Sequence, residues 1–584
     1  MQPESRAGWT ALSSFLAALI LAAVLGFAAI GSHAIWSPDE PTGAAIGRAM
    51  LDSGDLIVPR LNGQPFLEKP PLYWWVQVAA FRLFGLSDAV ARVPSALFAV
   101  LAAMVAWAMG RRLGGPREGF LAAAVLATTL LFVQNATRVT VDPALLFFVA
   151  LAHLGFVWLA GPRSPADRRR ARGVIAIALP LAFMVKGVVA VGLGAGPPVL
   201  YLLATRRARA LRELLVLAAI GIPVFLLLVT PWAVALQRAA GWEGLRECLV
   251  NNTVGRFAGA PGGTRYGHSQ RAWFYLGVVP PWFLPWALAL PAMLRSGLFR
   301  RETSASDARR LLLATVGFGI LMLSVPSSKR DLYLLPLLPA WSVCVAGWLD
   351  GVGERKEGER LDRRTLLAVA GFAALIPLLL GGVALAAAWA PRIPKGLTIL
   401  RNAQPMGVLA GFGLAALAAG GAIAFEIARR HRKPAAVGWV LAFLVLVVLG
   451  LETVVEPLVD PIKEMGELTA AIAERFPGKG PVPGYLPPVV SNESIFGIIG
   501  FKLGRSTLPL GTPEEVRSWL ASHPGAPILV RMEQLRRLPP DLQRGLSFVY
   551  DERGRKSSPF GIAVWKGEPE VSASRPAPPP GGPV

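Results

Sequence analysis

Two pairs of polar residues near the amino terminus are of types that could take part in chemistry. Asp39 and Glu40 form the first pair, and Glu68 and Lys69 form the second, further along the same polar stretch. A carboxylate placed at a hydroxyl group can remove its proton. One interpretation is that Asp39 is a general base, and that Glu40 orients this base, binds the acceptor or helps to hold a cation. The alternatives are acidic residues favoured by a helix dipole and, for the second pair, a surface ion pair worth under about 1 kcal/mol.

The stretch that carries both pairs, residues 36–75, is predicted to lie on a membrane surface. It follows the first apolar run and is too polar to enter hydrocarbon. Ile46, Ala49 and Met50 recur at helical spacing, which predicts a short helix within it. The aromatic run at 73–75 is typical of a membrane–water boundary. The loop is thus expected to present two acids and a lysine to something bound at the lipid surface.

The composition indicates a polytopic membrane protein. Of 584 residues, 53% are hydrophobic and only 16% are charged, which is more apolar sequence than a soluble domain can bury. The formal net charge of +22 does not indicate nucleic-acid binding, because the basic residues form short clusters between apolar runs. Cys248 and Cys344 show no metal-ligand spacing, so neither a disulfide framework nor a zinc site is predicted.

Apolar runs long enough to cross a bilayer number about thirteen, at roughly twenty residues each. The first is interpreted as a span rather than a signal peptide, since no convincing small-residue cleavage site follows it. Basic clusters fall on every second loop, so the positive-inside rule places the amino terminus in the cytoplasm and the carboxyl terminus outside. The predicted spans lie near 11–31, 92–112, 118–136, 142–160, 172–187, 188–205, 211–236, 272–294, 309–326, 331–349, 365–390, 405–427 and 436–455.

The loops predicted to lie outside also hold unusual polar residues at the ends of spans. These residues are Asp142, Lys186, Arg256, His268, Lys329 and Arg330. Charges at span ends are costly unless they have partners or a water-filled cavity, so several on one side indicate one site. Simpler explanations stay open, because Asp142 could cap a helix that has proline at its first position, and Lys186 could snorkel to the surface.

The composition changes after the last apolar run. Residues 1–455 are predicted to form the transmembrane domain, 456–566 a small extracytoplasmic α/β domain, and 567–584 a disordered proline-rich tail. A helix start is predicted at Thr512, with proline at the next position and glutamate three residues on. Short strands are predicted at 527–530 and 561–565.

The polar stretch also carries a family resemblance. The motifs W-x-P-D-E, S-G-D-x-I-V-P and E-K-P resemble the first extracytoplasmic loop, here 32–91, of the polyprenyl-phosphate-sugar glycosyltransferases. That group contains the protein O-mannosyltransferases and the lipid A aminoarabinose transferase. Later segments also resemble it, namely Asp-Pro at 142, Lys-Gly at 186, Asn-Thr-Val-Gly-Arg-Phe around 256 and Ser-Lys-Arg at 328–330. Where the aminoarabinose transferase has Thr-Arg-Tyr after the acidic pair, this chain has Pro41-Thr42-Gly43.

The resemblance implies a fold and a reaction. The fold would be of the GT-C type, an α-helical polytopic membrane protein with about thirteen transmembrane helices and a small C-terminal α/β domain. The reaction would move a sugar from a polyprenyl-phosphate donor to an acceptor hydroxyl, with inversion, on the extracytoplasmic side of a bacterial inner membrane. Lipid A, a protein or a cell-envelope glycan could be the acceptor, and nucleic acid is not an expected partner.

The resemblance also implies roles for the polar residues. The catalytic residues would be Asp39, Glu40 and Asp142. Fixed cations would stabilise the charge of the departing lipid phosphate. These donor-phosphate residues would be Lys69, Arg256, Lys329, Arg330 and Lys186. No cofactor is required by the sequence, although Glu68 and His268 leave a divalent cation open.

Two other functions are consistent with parts of the sequence. A flippase or other transport protein would require charges inside the spans, and the spans contain few. An oligosaccharide transferase with a diphosphate donor would favour a stronger metal site than Glu68 and His268 suggest. Neither a Walker glycine loop nor a dinucleotide-binding fingerprint occurs.

Overall fold

The computed structural model describes residues 10–36, 38–161, 164–251, 269–300, 303–353, 358–389, 403–429, 433–463, 465–488, 492–552 and 559–566. The helices are α1 (Ala11–Phe27), α2 (Asp39–Ser53), α3 (Leu72–Phe84), α4 (Asp88–Gly114), α5 (Pro116–Ala127), α6 (Leu130–Ala136), α7 (Asp142–Ala160), α8 (Pro165–Lys186), α9 (Val188–Arg246), α10 (Phe274–Trp282), α11 (Leu290–Arg295), α12 (Ser304–Ser324), α13 (Leu338–Asp350), α14 (Glu359–Trp389), α15 (Ala403–Arg429), α16 (Lys433–Gly450), α17 (Glu456–Lys463), α18 (Gly466–Arg475), α19 (Glu493–Leu503), α20 (Pro513–Ser522) and α21 (Pro540–Gly545). The strands are β1 (Arg60–Leu61), β2 (Gln64–Pro65), β3 (Val482–Tyr485), β4 (Thr507–Leu510), β5 (Pro527–Arg531), β6 (Leu546–Asp551) and β7 (Phe560–Trp565).

Within these ranges, seven helices are long and apolar enough to cross a membrane, or up to nine if each of two bent helix pairs is one span. The bent pairs are α5 with α6, at 71°, and α10 with the segment Trp286–Arg295, at 97°. The seven spans are Asp88–Gly114, Asp142–Ala160, Val188–Thr205, Ala210–Asn251, Asp331–Asp350, Glu359–Gly382 and Ala435–Asp460. The predicted α-helical polytopic class is confirmed, whereas the number thirteen stays a prediction.

Helix α9 contains two of these spans, so it cannot be straight. A straight helix would place Val191 and Trp232 roughly 60 Å apart. Both residues nevertheless pack in one apolar cluster with Phe183 of α8. The chain therefore doubles back within α9, which agrees with the two spans predicted at 188–205 and 211–236.

The centre of the helical domain is formed by α4, α5, α7 and α13, which pack against one another. Every residue of α13 is buried. At the carboxyl end of α4, Arg112 donates a hydrogen bond at 2.8 Å to Asp167 in the first turn of α8. In the same region Arg309 of α12 forms a buried ion pair with Glu118 of α5. These contacts fix the relative positions of the spans whose other ends lie near the polar loops.

A five-stranded sheet follows the last span, in the order β4-β3-β5-β7-β6. Strand β3 pairs in parallel with β4 and β5, whereas β7 pairs antiparallel with β5 and β6. Helices α19 and α20 provide the crossover connections that parallel strands need. Helix α20 begins as its sequence predicts, since the Thr512 side chain accepts a hydrogen bond from the Glu515 amide at 3.2 Å. The domain boundaries at 456 and 566 stay predictions.

Helix α19 of this sheet region packs closely against α2, the helix that carries the first acidic pair. Gly497 permits the approach, because a Cβ atom there would lie 2.5 Å from the carbonyl carbon of Pro41 and 2.6 Å from the amide nitrogen of Thr42. The Ser494 hydroxyl donates a hydrogen bond to the Pro38 carbonyl at 3.0 Å. The carboxyl-terminal region therefore borders the first turn of α2.

Two further polar contacts hold the same interface. Asn62, in the turn between β1 and β2, donates a hydrogen bond to the Thr507 carbonyl at 2.9 Å and accepts one from its amide at 2.6 Å. Lys502 of α19 donates to both carboxylate oxygens of Asp88 at 2.6 and 2.7 Å. The sheet region is thus tied to the amino end of α4 as well as to the polar loop.

Replacing Gly497 with alanine is expected to loosen this interface. The added methyl group would overlap the α2 backbone, and overpacking of this kind costs about 1–3 kcal/mol. Hydrogen exchange of the α2 amides should accelerate. The control is Gly173→Ala in α8, where a Cβ atom meets nothing within 4 Å. Unchanged exchange over Asp39–Ser53 in Gly497→Ala would show that α19 does not support α2.

Candidate functional site

Asp39 begins helix α2 and forms an ion pair with Arg330. The Arg330 guanidinium donates from Nη1 to Asp39 Oδ1 at 3.2 Å and from Nη2 to Oδ2 at 2.5 Å. The Asp39 side chain is 44% exposed, and that of Arg330 is 27% exposed. Burial alone would lower the pKa of Arg330, but the hydrogen bond and charge of Asp39 raise it above its usual value. The predicted base and one predicted phosphate-binding cation therefore lie in direct contact.

Asp142 and Lys186 form a second acid–cation pair. Asp142 begins α7, and Lys186 is the last residue of α8. The Lys186 ammonium donates a hydrogen bond to Asp142 Oδ1 at 2.6 Å and lies 4.6 Å from the centre of the Tyr333 ring. The lysine is therefore held by a carboxylate and an aromatic face rather than extended towards lipid.

The two pairs belong to one site. Arg330 interacts electrostatically with Asp142 and Tyr333 as well as with Asp39. The site is assembled from the starts of α2 and α7, the end of α8 and the segment before the 3₁₀ helix Asp331–Leu337. The structure brings Asp39 to Arg330 and Asp142 to Lys186, and the role of these residues in one active site stays a prediction.

Glu40 differs from Asp39 because it is buried and fully engaged. Its Oε1 accepts hydrogen bonds from Arg92 Nε at 2.8 Å and from the Val139 amide at 3.0 Å. Its Oε2 accepts from Arg92 Nη2 at 2.9 Å and from the Trp36 amide at 2.9 Å. Burial opposes ionisation of Glu40, but Arg92 and the two amides outweigh it and hold the pKa of Glu40 below its usual value. The carboxylate therefore stays charged at neutral pH and fixes the start of α2.

Lys329 lies beside Arg330 but points to the backbone. Its ammonium donates to the Gln270 carbonyl at 3.1 Å and to the Pro326 carbonyl. Burial lowers the pKa of Lys329. The Tyr275 hydroxyl donates to the Arg330 carbonyl at 3.0 Å, so the backbone of this segment is held from two sides.

Glu68 and Lys69 lie in the polar loop beside the end of α8. Their charged atoms are 3.9 Å apart, and Lys69 lies 5.5 Å from the centre of the Phe66 ring. Leu67 packs in a cluster with Phe183, one turn before the end of α8. The loop thus brings Lys69 to the same side of the helical domain as Lys186.

Two predicted site residues, Arg256 and His268, lie outside the described residues. The same is true of the predicted tail at 567–584. Within the described part of the chain, no three His, Cys, Asp or Glu side chains are grouped so as to hold a metal ion. The metal assignment to Glu68 and His268 therefore stays a prediction.

Arg92 is the functional neighbour that sequence reasoning missed. It is fully buried, and besides Glu40 it donates hydrogen bonds to the carbonyls of Ile30, His33 and Ala34 at 2.7–2.9 Å. Its only signal in the sequence is a charge at the first position of a predicted span, 92–112. Charges at such positions often have partners within the protein.

A second group missed from the sequence surrounds Trp36. Its indole N–H donates to Asp460 at 2.7 Å, and its ring stacks on His33 with centroids 3.8 Å apart. The Lys463 ammonium lies 4.5 Å from the ring centre. Asp460 ends the last span and Lys463 follows it, so this segment also supports the loop that leads into α2.

Comparison with known proteins shows which proteins this chain resembles. Residues 68–234 match the family described as dolichyl-phosphate-mannose-protein mannosyltransferase. The chain is 30% identical over 338 residues to the undecaprenyl phosphate-alpha-4-amino-4-deoxy-L-arabinose arabinosyl transferase of Pectobacterium carotovorum, covering 57% of this chain and 58% of that protein. The protein of the same name from Edwardsiella ictaluri is 29% identical over 382 residues, covering 64% and 65%. The chain thus matches less than two thirds of the length of these relatives.

Two solved structures have a fold similar to that of this protein over nearly its whole chain. The crystal structure of ArnT from Cupriavidus metallidurans bound to undecaprenyl phosphate has a TM-score of 0.74 and 21% identity, covering 94% of this chain and 97% of that one. The archaeal oligosaccharyltransferase AglB from Archaeoglobus fulgidus has a TM-score of 0.53 and 10% identity, covering 96% and 75%.

The chain is similar in sequence, over part of their length, to the undecaprenyl phosphate-aminoarabinose transferases. Its fold is similar to that of ArnT. The resemblance identified from the motifs of the polar loop is therefore confirmed.

Proposed function

We propose that this protein is an integral membrane glycosyltransferase that moves a sugar from a polyprenyl-phosphate donor to an acceptor hydroxyl. The observation that carries the proposal is the contact of Asp39 with Arg330, beside Asp142 and Lys186, at the ends of four chain segments. A carboxylate next to fixed cations provides both a base and a site for a departing phosphate. The names of the relatives supply the donor class, an undecaprenyl phosphate sugar.

The reaction is a single displacement. Asp39 takes the proton of the acceptor hydroxyl, whose oxygen forms a bond to the anomeric carbon of the sugar. The bond between that carbon and the phosphate oxygen breaks, its electrons stay on the phosphate, and the configuration inverts. Polyprenyl phosphate leaves with the added negative charge, which Arg330 and Lys186 stabilise together with Lys69 and Arg256. Lys329 instead holds the backbone of its segment.

Glu40 and Asp142 serve this reaction in different ways. Glu40 is a positioning residue, because Arg92 and two backbone amides occupy its oxygens and it holds the start of α2. Asp142 is buried against Lys186 and orients this cation towards the phosphate. Asp39 is more exposed than either and is therefore the acid best placed to meet an acceptor.

We keep lipid A, a protein or a cell-envelope glycan as acceptors. The first turn of α2 departs from the aminoarabinose transferase at Pro41-Thr42-Gly43. A Cβ atom at Gly43 would lie 3.1 Å from the Val139 side chain and 3.2 Å from its carbonyl oxygen. This close packing suits glycine. Because residues 41–43 lie in the same turn of α2 as Asp39, the differences at these positions change the surface around the proposed base. We place the site on the extracytoplasmic face of a bacterial inner membrane, with the amino terminus in the cytoplasm.

The test is donor consumption by the purified protein in lipid nanodiscs. Labelled polyprenyl-phosphate sugars, matching polyprenyl-diphosphate sugars and candidate acceptors are supplied, and released polyprenyl phosphate is measured. Acceptor-dependent release from a monophosphate donor is the expected result. Release from diphosphate donors alone would support the oligosaccharide-transferase alternative. Movement of the lipid across a vesicle bilayer with no release from any donor would contradict the proposal and favour a flippase.

A further inference from the structure

We propose that the donor phosphate displaces Arg330 from Asp39, so that Asp39 can act as a base only after the donor has bound. This inference rests on the proposed function, since it concerns the order of events at the same site. It adds that Arg330 is shared between two anions, the Asp39 carboxylate before donor binding and the phosphate afterwards.

The geometry of the pair makes the carboxylate and a phosphate compete for the same fork of the guanidinium. Arg330 presents Nη1 and Nη2 to the two carboxylate oxygens of Asp39. A guanidinium binds two phosphate oxygens through a fork of the same shape. The same two N–H groups cannot serve both anions at once. A carboxylate that accepts hydrogen bonds from a cation also binds a proton less readily than one released from it.

The cations that could bind an arriving phosphate already have hydrogen-bond partners. Among the described cations of the site, Lys186 is bound to Asp142 and Lys329 donates to two backbone carbonyls. Before donor binding, Arg330 balances the charge of Asp39, and Lys186 balances the charge of Asp142. A phosphate that enters this site must therefore take a cation from a partner.

Of Arg330, Lys186 and Lys329, Arg330 is the cation most easily taken. Its pair with Asp39 is partly exposed on both sides, and exposed pairs contribute little stability. Its backbone is fixed, because Tyr275 donates to its carbonyl and Ser269 pairs with Ser328 two residues earlier. Exchange of partners then requires only a change of side-chain rotamer, without movement of a helix.

The exchange couples donor binding to base activation. Without donor, Asp39 is occupied by Arg330 and presents a weak base to the acceptor. With donor, the guanidinium neutralises the phosphate and no longer donates to Asp39, which becomes a stronger base for the proton of the hydroxyl. One movement thus prepares both the leaving group and the nucleophile.

The experiment measures the affinity of undecaprenyl phosphate, without sugar or acceptor, for the full chain in nanodiscs. Asp39→Asn is expected to bind about 3- to 10-fold more tightly than wild type, because Arg330 no longer has a competing carboxylate. Arg330→Gln is expected to bind more weakly. In the double variant, the gain from Asp39→Asn should disappear, since the shared cation is absent.

The double variant separates competition from a general effect of charge. If removal of the Asp39 charge acted only through the local field, the gain would persist in the Arg330→Gln background, and that result would overturn the inference. Equal affinities of wild type and Asp39→Asn would overturn it too. Asp52→Asn, on the exposed part of α2, is the control and should leave affinity unchanged. If Arg330→Gln does not fold, Arg330→Lys keeps the charge without the fork and should show a smaller coupling.

The binding cycle and the transfer assay fail independently. If the wild type transfers sugar but the variants show no coupling between Asp39 and Arg330 in lipid binding, the exchange is overturned and the proposed function stands. If the variants show the coupling but the wild type consumes none of the supplied donors, the proposed function is contradicted. The exchange would then have no role in catalysis.

Discussion

Replacing Asp39 with asparagine is expected to lower the rate of sugar transfer by about 10²–10⁴-fold, the usual contribution of a general base. Asparagine keeps the shape of the side chain but cannot take the proton of an acceptor hydroxyl. Asp39→Asn is also expected to bind the lipid phosphate more tightly. The variant should therefore be saturated by donor and acceptor but transfer the sugar slowly. The measurement is release of polyprenyl phosphate under single-turnover conditions, at saturating donor and acceptor.

The matched control is Asp52→Asn on the same helix. Asp52 is 57% exposed, forms an i,i+4 ion pair with Arg48 and lies at the other end of α2. Its replacement should leave the transfer rate unchanged. Full activity of Asp39→Asn would contradict the assignment of Asp39 as base, and Asp142 would become the candidate. Asp142→Asn is expected to weaken donor binding more than it slows the chemical step, because its partner is the phosphate-binding Lys186.

The sequence predicts the elements of the site better than their contacts. The acidic pair occurs at the start of a helix, and proline follows Asp142 at the start of another, so both positions could be predicted from local signals. The contact of Asp39 with Arg330 spans 291 positions of the chain. No local pattern records it, because it depends on how α2 and the segment before Asp331 pack in three dimensions.

Adjacent acids can also have opposite environments that a sequence does not reveal. Asp39 and Glu40 look equivalent in the chain, yet Glu40 is 2% exposed and Asp39 lies at the surface of the site. The direction of each side chain from the first turn of α2 decides this difference. Arg92 could have been noticed as a charge at the end of a predicted span, but its partner could not be identified before the loop was seen to fold back onto α4.

The packing of the sheet region against α2 could not be predicted from the sequence either. Gly497 lies within an apolar helical pattern and gives no sign that another helix will pack against it. The cap at Thr512 and two of the short strands could be predicted, since they are local signals, whereas their pairing in a mixed sheet was not predicted. Local chemistry thus predicts elements, whereas the site is made by contacts between segments that are distant in the chain.

The buried pair of Glu40 and Arg92 is expected to be the most sensitive structural feature of the site. Arg92→Met removes a fully buried guanidinium and leaves the Glu40 carboxylate and three loop carbonyls without their main donor. Removing one partner of a buried pair typically costs about 3–5 kcal/mol. The unfolding midpoint should fall, the α2 amides should exchange faster, and transfer should fall because the start of α2 no longer holds Asp39.

A second substitution distinguishes an unpaired charge from lost packing. If the cost comes from the uncompensated carboxylate, Arg92→Met combined with Glu40→Gln should be more stable than Arg92→Met alone. Arg92→Lys should rescue only in part, because an ammonium cannot reproduce the planar fork that reaches Glu40 and the carbonyls together. Arg60→Met, which removes an exposed partner of Asp55 in the same loop, is the control and should change stability by less than about 1 kcal/mol. Equal stabilities of Arg92→Met and wild type would mean that α2 is held by its packing against α3 and α19, and that Glu40 does not position the base.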